Sequence, residues 1–182
     1  MKITTRQIAA VAMGAALISV CSWLSVPSVV PFTLQTFAVC LITALFGLRM
    51  GLLTVAVYLL MGAVGLPVFA GFKGGVASLL GPTGGYLVGF LFTALVVGLS
   101  VNRLGRRPLV LILSMALGIA LCYAFGTVWF VLVYTRTRGP IGVGAALSLC
   151  VFPYLIPDAL KIALASFLTG RLYPLLKKGG IA

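Results

Sequence analysis

Between Pro108 and Arg136 the chain carries no charged side chain, reading LVLILSMALGIALCYAFGTVWFVLVYT. An apolar run of this length exceeds the roughly 20 residues that cross a bilayer as a helix. Only a helix lets one lipid-exposed segment satisfy all its own backbone hydrogen bonds. The run is not a lone anchor. Hydrophobic residues make up 62% of the chain and charged ones 8%, and the mean hydropathy is +1.26, so the bilayer hosts the chain throughout. We therefore expect residues 1–182 to form one membrane-embedded domain, an all-α integral membrane bundle.

Six transmembrane helices fit the punctuation. They cover about 6–26, 32–48, 51–66, 85–101 and 109–134, and a last span from Pro153–Pro157 to about 176. The apolar part of MKITTRQIAAVAMGAALISVCSWLSV shows no small-residue cleavage site, which predicts a retained helix rather than a signal peptide. A seventh span over 140–157 would contain Gly142, Gly144, Pro153 and Pro157, so a short or re-entrant segment is expected there instead.

The net charge of +12 does not call for nucleic acid. With the N-terminus inside, Lys2, Arg6, Arg49, Arg103, Arg106, Arg107, Arg171, Lys177 and Lys178 fall on the cytoplasmic side, and Lys73, Arg136 and Arg138 outside. That bias fixes both termini as cytoplasmic and places cations near anionic lipid. Cys21, Cys40, Cys122 and Cys150 lie scattered in apolar runs and read as small buried hydrophobes, not as metal ligands or disulfides.

Enzyme chemistry has little to work with. Histidine is absent and the only acid is Asp158, so neither a histidine-based triad nor a carboxylate pair can be built, and no metal site is expected. There is no G-x-x-x-x-G-K-[ST] phosphate loop.

Asp158 itself sits in CVFPYLIPDALKIALASFL, with Lys161 three residues later. Either charge costs roughly 2.5–3.5 kcal/mol at the centre of a membrane helix, so such residues face a cavity or each other. At i and i+3 they share a face. Pro157 suits a first helical position, putting Asp158 in the first turn, where the helix dipole favours an anion. A purely structural pair is one reading; a binding site beneath an external loop is the other. That loop, PVFAGFKGGVASLLGPTGG, joins the third and fourth spans, and its glycines, Pro82, Ser78 and Thr83 are turn chemistry able to cover a pocket. In the first span, Ala10 and Gly14, and Ala12 and Ala16, stand four apart, a spacing that serves either internal packing or docking to another membrane subunit. Trp23, Trp129 and Tyr86 lie near predicted helix ends, as interfacial anchors do.

The segments VPFTLQTFAVCLITALFG, GLPVFAGFKGGVASLLGPTGGYLVGF and P-Y-x-x-P-D-x-x-K resemble the BioY family across nearly the whole chain. These are the biotin-specific substrate-binding (S) components of energy-coupling-factor (ECF) transporters. The family usually has Pro-Gly before the aspartate, where this chain has Ile156-Pro157. The resemblance implies a six-helix protein of a bacterial or archaeal cell (inner) membrane that captures biotin from outside. A transmembrane coupling subunit and cytoplasmic ATPase subunits would drive release by tilting it, so it needs no cofactor of its own and only its partners use ATP. The first helix, through Ala12 and Ala16 with Ala10 and Gly14, would meet the coupling subunit. At the site, Asp158 would accept from a ureido N–H, Lys161 would donate to the ureido oxygen or orient Asp158, and Gln35 would add an amide contact. Tyr86 and Trp129 would wall the bicyclic ring. Lys73 and Ser78, with backbone N–H groups of Gly74 and Gly75, would receive the carboxylate. An ion-coupled carrier, an S component for another vitamin and a non-transporting scaffold remain the alternatives.

Overall fold

The computed structural model describes residues 4–27 and 30–179; Lys2, counted above among the cytoplasmic cations, lies outside them. Helix α1 (Thr5–Trp23) opens on a capping box, in which Thr4 Oγ1 accepts from the Gln7 N–H at 3.3 Å and Gln7 Oε1 from the Thr4 N–H at 3.1 Å. This satisfies two donors at the helix start. The helix ends sooner than the expected residue 26. Strands β1 (Ser25–Val26) and β2 (Phe32–Thr33) pair antiparallel before α2 (Gln35–Ala63) begins.

Helix α2 is two arms folded against each other. Gly47 has φ 77° and ψ −171°, a conformation closed to other residues, and the chain reverses there. Gln35 on the first arm reaches Tyr58 on the second, and Gly51 packs on Thr43. The break at Gly47 falls one residue inside the expected end of the first of the two spans, 32–48 and 51–66. It is clamped from outside. Asn102 Oδ1 accepts from the Leu48 N–H at 3.4 Å, and Arg106 donates to the Ala44 and Leu45 carbonyls at 2.7 and 3.1 Å. The Arg106 guanidinium lies 3.7 Å from the centroid of the Tyr173 ring. A cation on the last carbonyls of a helical arm also meets the negative end of its dipole.

A short helix α3 (Val76–Leu80), not foreseen in the sequence, interrupts the glycine-rich loop, and α4 (Gly84–Leu104) follows. Helix α5 (Pro108–Arg138) starts on the proline that suits a first turn. It meets α4 through small residues: Gly89 against Cys122, Gly118 against Thr93, Gly126 against Tyr86. Glycine at these crossings lets the backbones approach closely. Then come the short α6 (Val143–Cys150), a 3-10 turn at Phe152–Tyr154, and α7 (Leu155–Lys178). At eight residues α6 is far too short to span, as its glycines and flanking prolines suggested.

Among the described residues five helical segments are long and apolar enough to cross a membrane, α2 among them. Their outer faces are apolar. On α5, Leu113, Leu117, Leu121, Val128 and Leu132 are all more than 40% exposed and recur at helical spacing. Such a stripe suits lipid. Basic side chains from distant parts of the chain meet at one end. Arg6 reaches the Gly179 carbonyl, and Arg106 touches both the α2 turn and Tyr173.

The small residues of α1 divide. Ala10 and Gly14 are buried, with Gly14 against Ile42 and Thr54, so this pair packs within the chain and cannot face a partner as expected. Ala12 and Ala16 lie on the exposed side.

A Cβ at position 47 would stand 2.5 Å from Asn102 Oδ1 in a backbone region essentially reserved for glycine. Gly47→Ala should therefore destabilise the protein by about 1–3 kcal/mol. Gly142→Ala, which meets nothing within 4 Å, should leave it unchanged. Thermal unfolding of the two variants in detergent reads the difference.

Candidate functional site

Asp158 lies in the first turn of α7 and Lys161 one turn on, 4% and 7% exposed. Lys161 Nζ donates to Asp158 Oδ1 at 2.7 Å. Two charges buried this deeply persist only if their remaining hydrogen-bonding capacity is met. Here it is met from three directions. Strand β2 supplies the Thr33 carbonyl, 2.7 Å from Lys161 Nζ, and the first turn of α2 the Thr36 hydroxyl. That hydroxyl accepts from Lys161 and donates to Asp158 Oδ1, both at 3.2 Å. Helix α5 supplies Tyr123, whose hydroxyl donates to Asp158 Oδ2. The Phe32 ring lies under the ammonium, its centroid 4.2 Å away, an attraction a cation keeps in a dry site.

All three Lys161 donors are thus engaged, by Asp158, Thr33 and Thr36. Of the two roles expected for Lys161, this geometry provides the orienting one. Asp158 retains acceptor capacity, because a carboxylate offers about four lone-pair positions and three donors use them.

The pair forms the floor of a cavity of about 420 Å³. Its walls are largely aromatic and apolar: Phe69, Tyr86, Leu87, Phe90 and Tyr154, with the Cys122 and Cys150 thiols. Its other boundary comes from the glycine-rich loop, through Lys73, Ala77, Ser78, Pro82 and Thr83. The glycine-rich loop and the start of the last span therefore meet at one cavity. Lys73 sits exposed at the rim, and the chain has no second acid to pair with it. One end of the cavity offers a neutral pair with a hydrogen-bond acceptor, the middle is apolar, and the rim is cationic. Such a cavity suits a small molecule with a polar N–H head, an apolar body and an anionic tail.

Of the residues singled out in the sequence, Asp158, Lys161, Gln35, Lys73, Ser78 and Tyr86 line the cavity. Gln35 is already committed: its amide donates to the Tyr58 hydroxyl and its carbonyl accepts from Thr33 Oγ1 at 3.1 Å. The Tyr86 hydroxyl pairs with Thr127 at 3.0 Å, leaving its ring as the wall. Gly74, Gly75 and Trp129 are not in the lining. Gly74 is pressed against the Leu66 carbonyl, and the Gly75 N–H donates to Gly62 at 2.7 Å, so these glycines dock the loop onto the end of α2. The Trp129 indole donates to the Gly81 carbonyl at 3.0 Å and braces the loop from behind.

Thr33, Thr36 and Tyr123 escaped the sequence reading. The two threonines lie in the segment VPFTLQT, where only Gln35 drew notice. Tyr123 carried a faint signal, a hydroxyl in the middle of an uncharged apolar run, which must find a partner when buried.

The chain is similar to known proteins along most of its length. The BioY family profile matches residues 1–178. "Biotin transporter BioY" of Thermotoga maritima is 40% identical over 168 residues, covering 92% of this chain and 95% of the relative. "Probable biotin transporter BioY" of Pyrococcus horikoshii is 36% identical over 168 residues, covering 92% and 96%. A crystal structure described as the S-component for biotin from an ECF-type ABC transporter superimposes with a TM-score of 0.81 at 26% identity, covering 94% of each chain. The chain belongs to the BioY family.

Proposed function

We propose that this chain captures biotin as the substrate-binding component of an ECF-type uptake transporter and is itself no enzyme. The observation that carries the reading is the polarity of the cavity, which runs from the Asp158–Lys161 pair through aromatic walls to Lys73. Biotin has the matching order: a ureido ring with two N–H donors, an apolar thioether ring, and a carboxylate on a flexible chain. Asp158 accepts a ureido N–H, Lys161 holds Asp158 and the Thr33 carbonyl in place, and Tyr86 and Phe90 flank the bicyclic ring. Lys73 receives the carboxylate at the rim, and the Ser78 hydroxyl, which donates to the Gly74 carbonyl at 3.0 Å, joins it only by turning from that bond.

In this reading the protein is a multi-pass component of the cell (inner) membrane. Six spans arise when each α2 arm is counted, and both termini lie in the cytoplasm with the basic end. The cavity faces outward. The Ala12–Ala16 face of α1 docks on a transmembrane coupling subunit, and cytoplasmic ATPase subunits spend the ATP, so the chain needs no cofactor. The exposure of Ala12 and Ala16, against the burial of Ala10 and Gly14, supports that face.

Isothermal titration of the purified protein should give tight binding of biotin, weaker binding of desthiobiotin and none of thiamine. Asp158→Asn should weaken biotin at least about tenfold, the scale of a lost charge-assisted hydrogen bond. Because that change strands the Lys161 charge, Asp158→Asn/Lys161→Met should recover thermal stability without recovering binding. Unchanged affinity in folded Asp158→Asn would remove this residue from the site.

Lys73→Gln should weaken biotin several-fold yet leave biotinol, whose tail ends in a neutral alcohol, bound as before, with both affinities read by titration. An equal loss for both ligands would show that Lys73 does not read the carboxylate. Ala12→Leu with Ala16→Leu should leave biotin binding unchanged and abolish uptake by cells carrying the complete transporter. Retained uptake would place the coupling face elsewhere.

A further inference from the structure

Two of the three donors on Asp158 act on the same atom. Lys161 Nζ and Thr36 Oγ1 both meet Oδ1, at 2.7 and 3.2 Å. Rotation about the Cβ–Cγ bond, a broad torsion, carries both oxygens together, so these two bonds hold it from the Oδ1 side only. The third donor, the Tyr123 hydroxyl, meets Oδ2 and holds the same torsion from the opposite side. Tyr123 reaches Asp158 from a different helix, α5 against α7, and its ring is steadied edge-on by Tyr86 at a centroid distance of 6.5 Å.

We propose that Tyr123 is a positioning residue for ligand recognition. Its hydroxyl holds the plane of the Asp158 carboxylate from the Oδ2 side, so that the remaining acceptor position on Oδ2 is presented to a ureido N–H at a fixed angle. The inference rests on the biotin reading above and assigns Tyr123 a role exercised through Asp158. Selectivity for an N–H-bearing head group then depends on three helical arms at once: α7 carries the acceptor, α2 anchors one oxygen and α5 orients the other.

A double-mutant cycle in the full-length protein tests this by biotin titration. Tyr123→Phe keeps the ring and removes the hydroxyl, and should weaken biotin about tenfold. In the Asp158→Asn background the same change should add little, because the group through which Tyr123 acts is already altered. Tyr86→Phe, whose hydroxyl meets Thr127 and not Asp158, should contribute equally in both backgrounds. If Tyr123→Phe is neutral, or its loss adds in full to that of Asp158→Asn, the positioning role is overturned and the biotin reading stands. If Asp158→Asn alone leaves biotin binding intact, the ligand role of the site fails instead. Thr36→Val, which removes a donor from Oδ1, should show the same non-additivity and supplies an independent cycle if Tyr123→Phe does not fold.

Discussion

A protein with thirteen basic side chains and one acid must decide where to spend its only internal counter-charge. Here Asp158 neutralises Lys161 at depth, and every other cation is left to the ends of the helices or the rim of the cavity. Burying such a pair in place of apolar side chains rarely increases stability, whereas removing one member is strongly destabilising, by roughly 3–5 kcal/mol. A pair of this kind is therefore poor cement and a sensitive recognition element. It also sets the arrangement around it: strand β2 must pass close enough to offer the Thr33 carbonyl, and α5 must turn Tyr123 inward.

The same constraint explains the packing between helices. Three chain segments distant in sequence have to converge on two atoms of one carboxylate, which demands close and reproducible crossings. The α4–α5 contact achieves this with glycines seated on Cys122, Thr93 and Tyr86. The α2 arms do so by reversing at Gly47, with Arg106 and Asn102 gripping the turn. At the other end of the cavity the loop is fixed to the scaffold and not to the site. Trp23 donates to the Pro67 carbonyl at 2.8 Å, Gly75 to Gly62, and Trp129 to Gly81.

Much of this was legible in the sequence because membrane insertion leaves strong local marks. Uncharged runs, prolines and basic turns located the long helices, and the rarity of an intramembrane carboxylate pointed directly to Asp158 and Lys161. What was not legible depends on tertiary meetings. The two α1 motifs look alike as spacings, yet Ala10 and Gly14 face Thr54 and Ile42 while Ala12 and Ala16 face outward; only the azimuth of the helix separates them. Trp129 on α5 and the glycine pair of the loop read as ligand contacts because composition says nothing of which face a residue turns. Tyr123 was invisible as a partner of Asp158 because their meeting depends on the packing of α5 against α7. The short α3 was hidden because five residues carry too little periodicity to register.

The first arm of α2 also acts as a ruler. Residues 35–46 rise only about 18 Å at helical pitch. They run from the turn at Gly47, level with the basic end, to Gln35 beside the ion pair. Against a hydrocarbon thickness of about 30 Å, the floor of the cavity lies just past the midplane, some 12 Å beneath the opposite boundary. A ligand bound there lies most of one leaflet deep, and what separates it from the basic end is the length of one short arm.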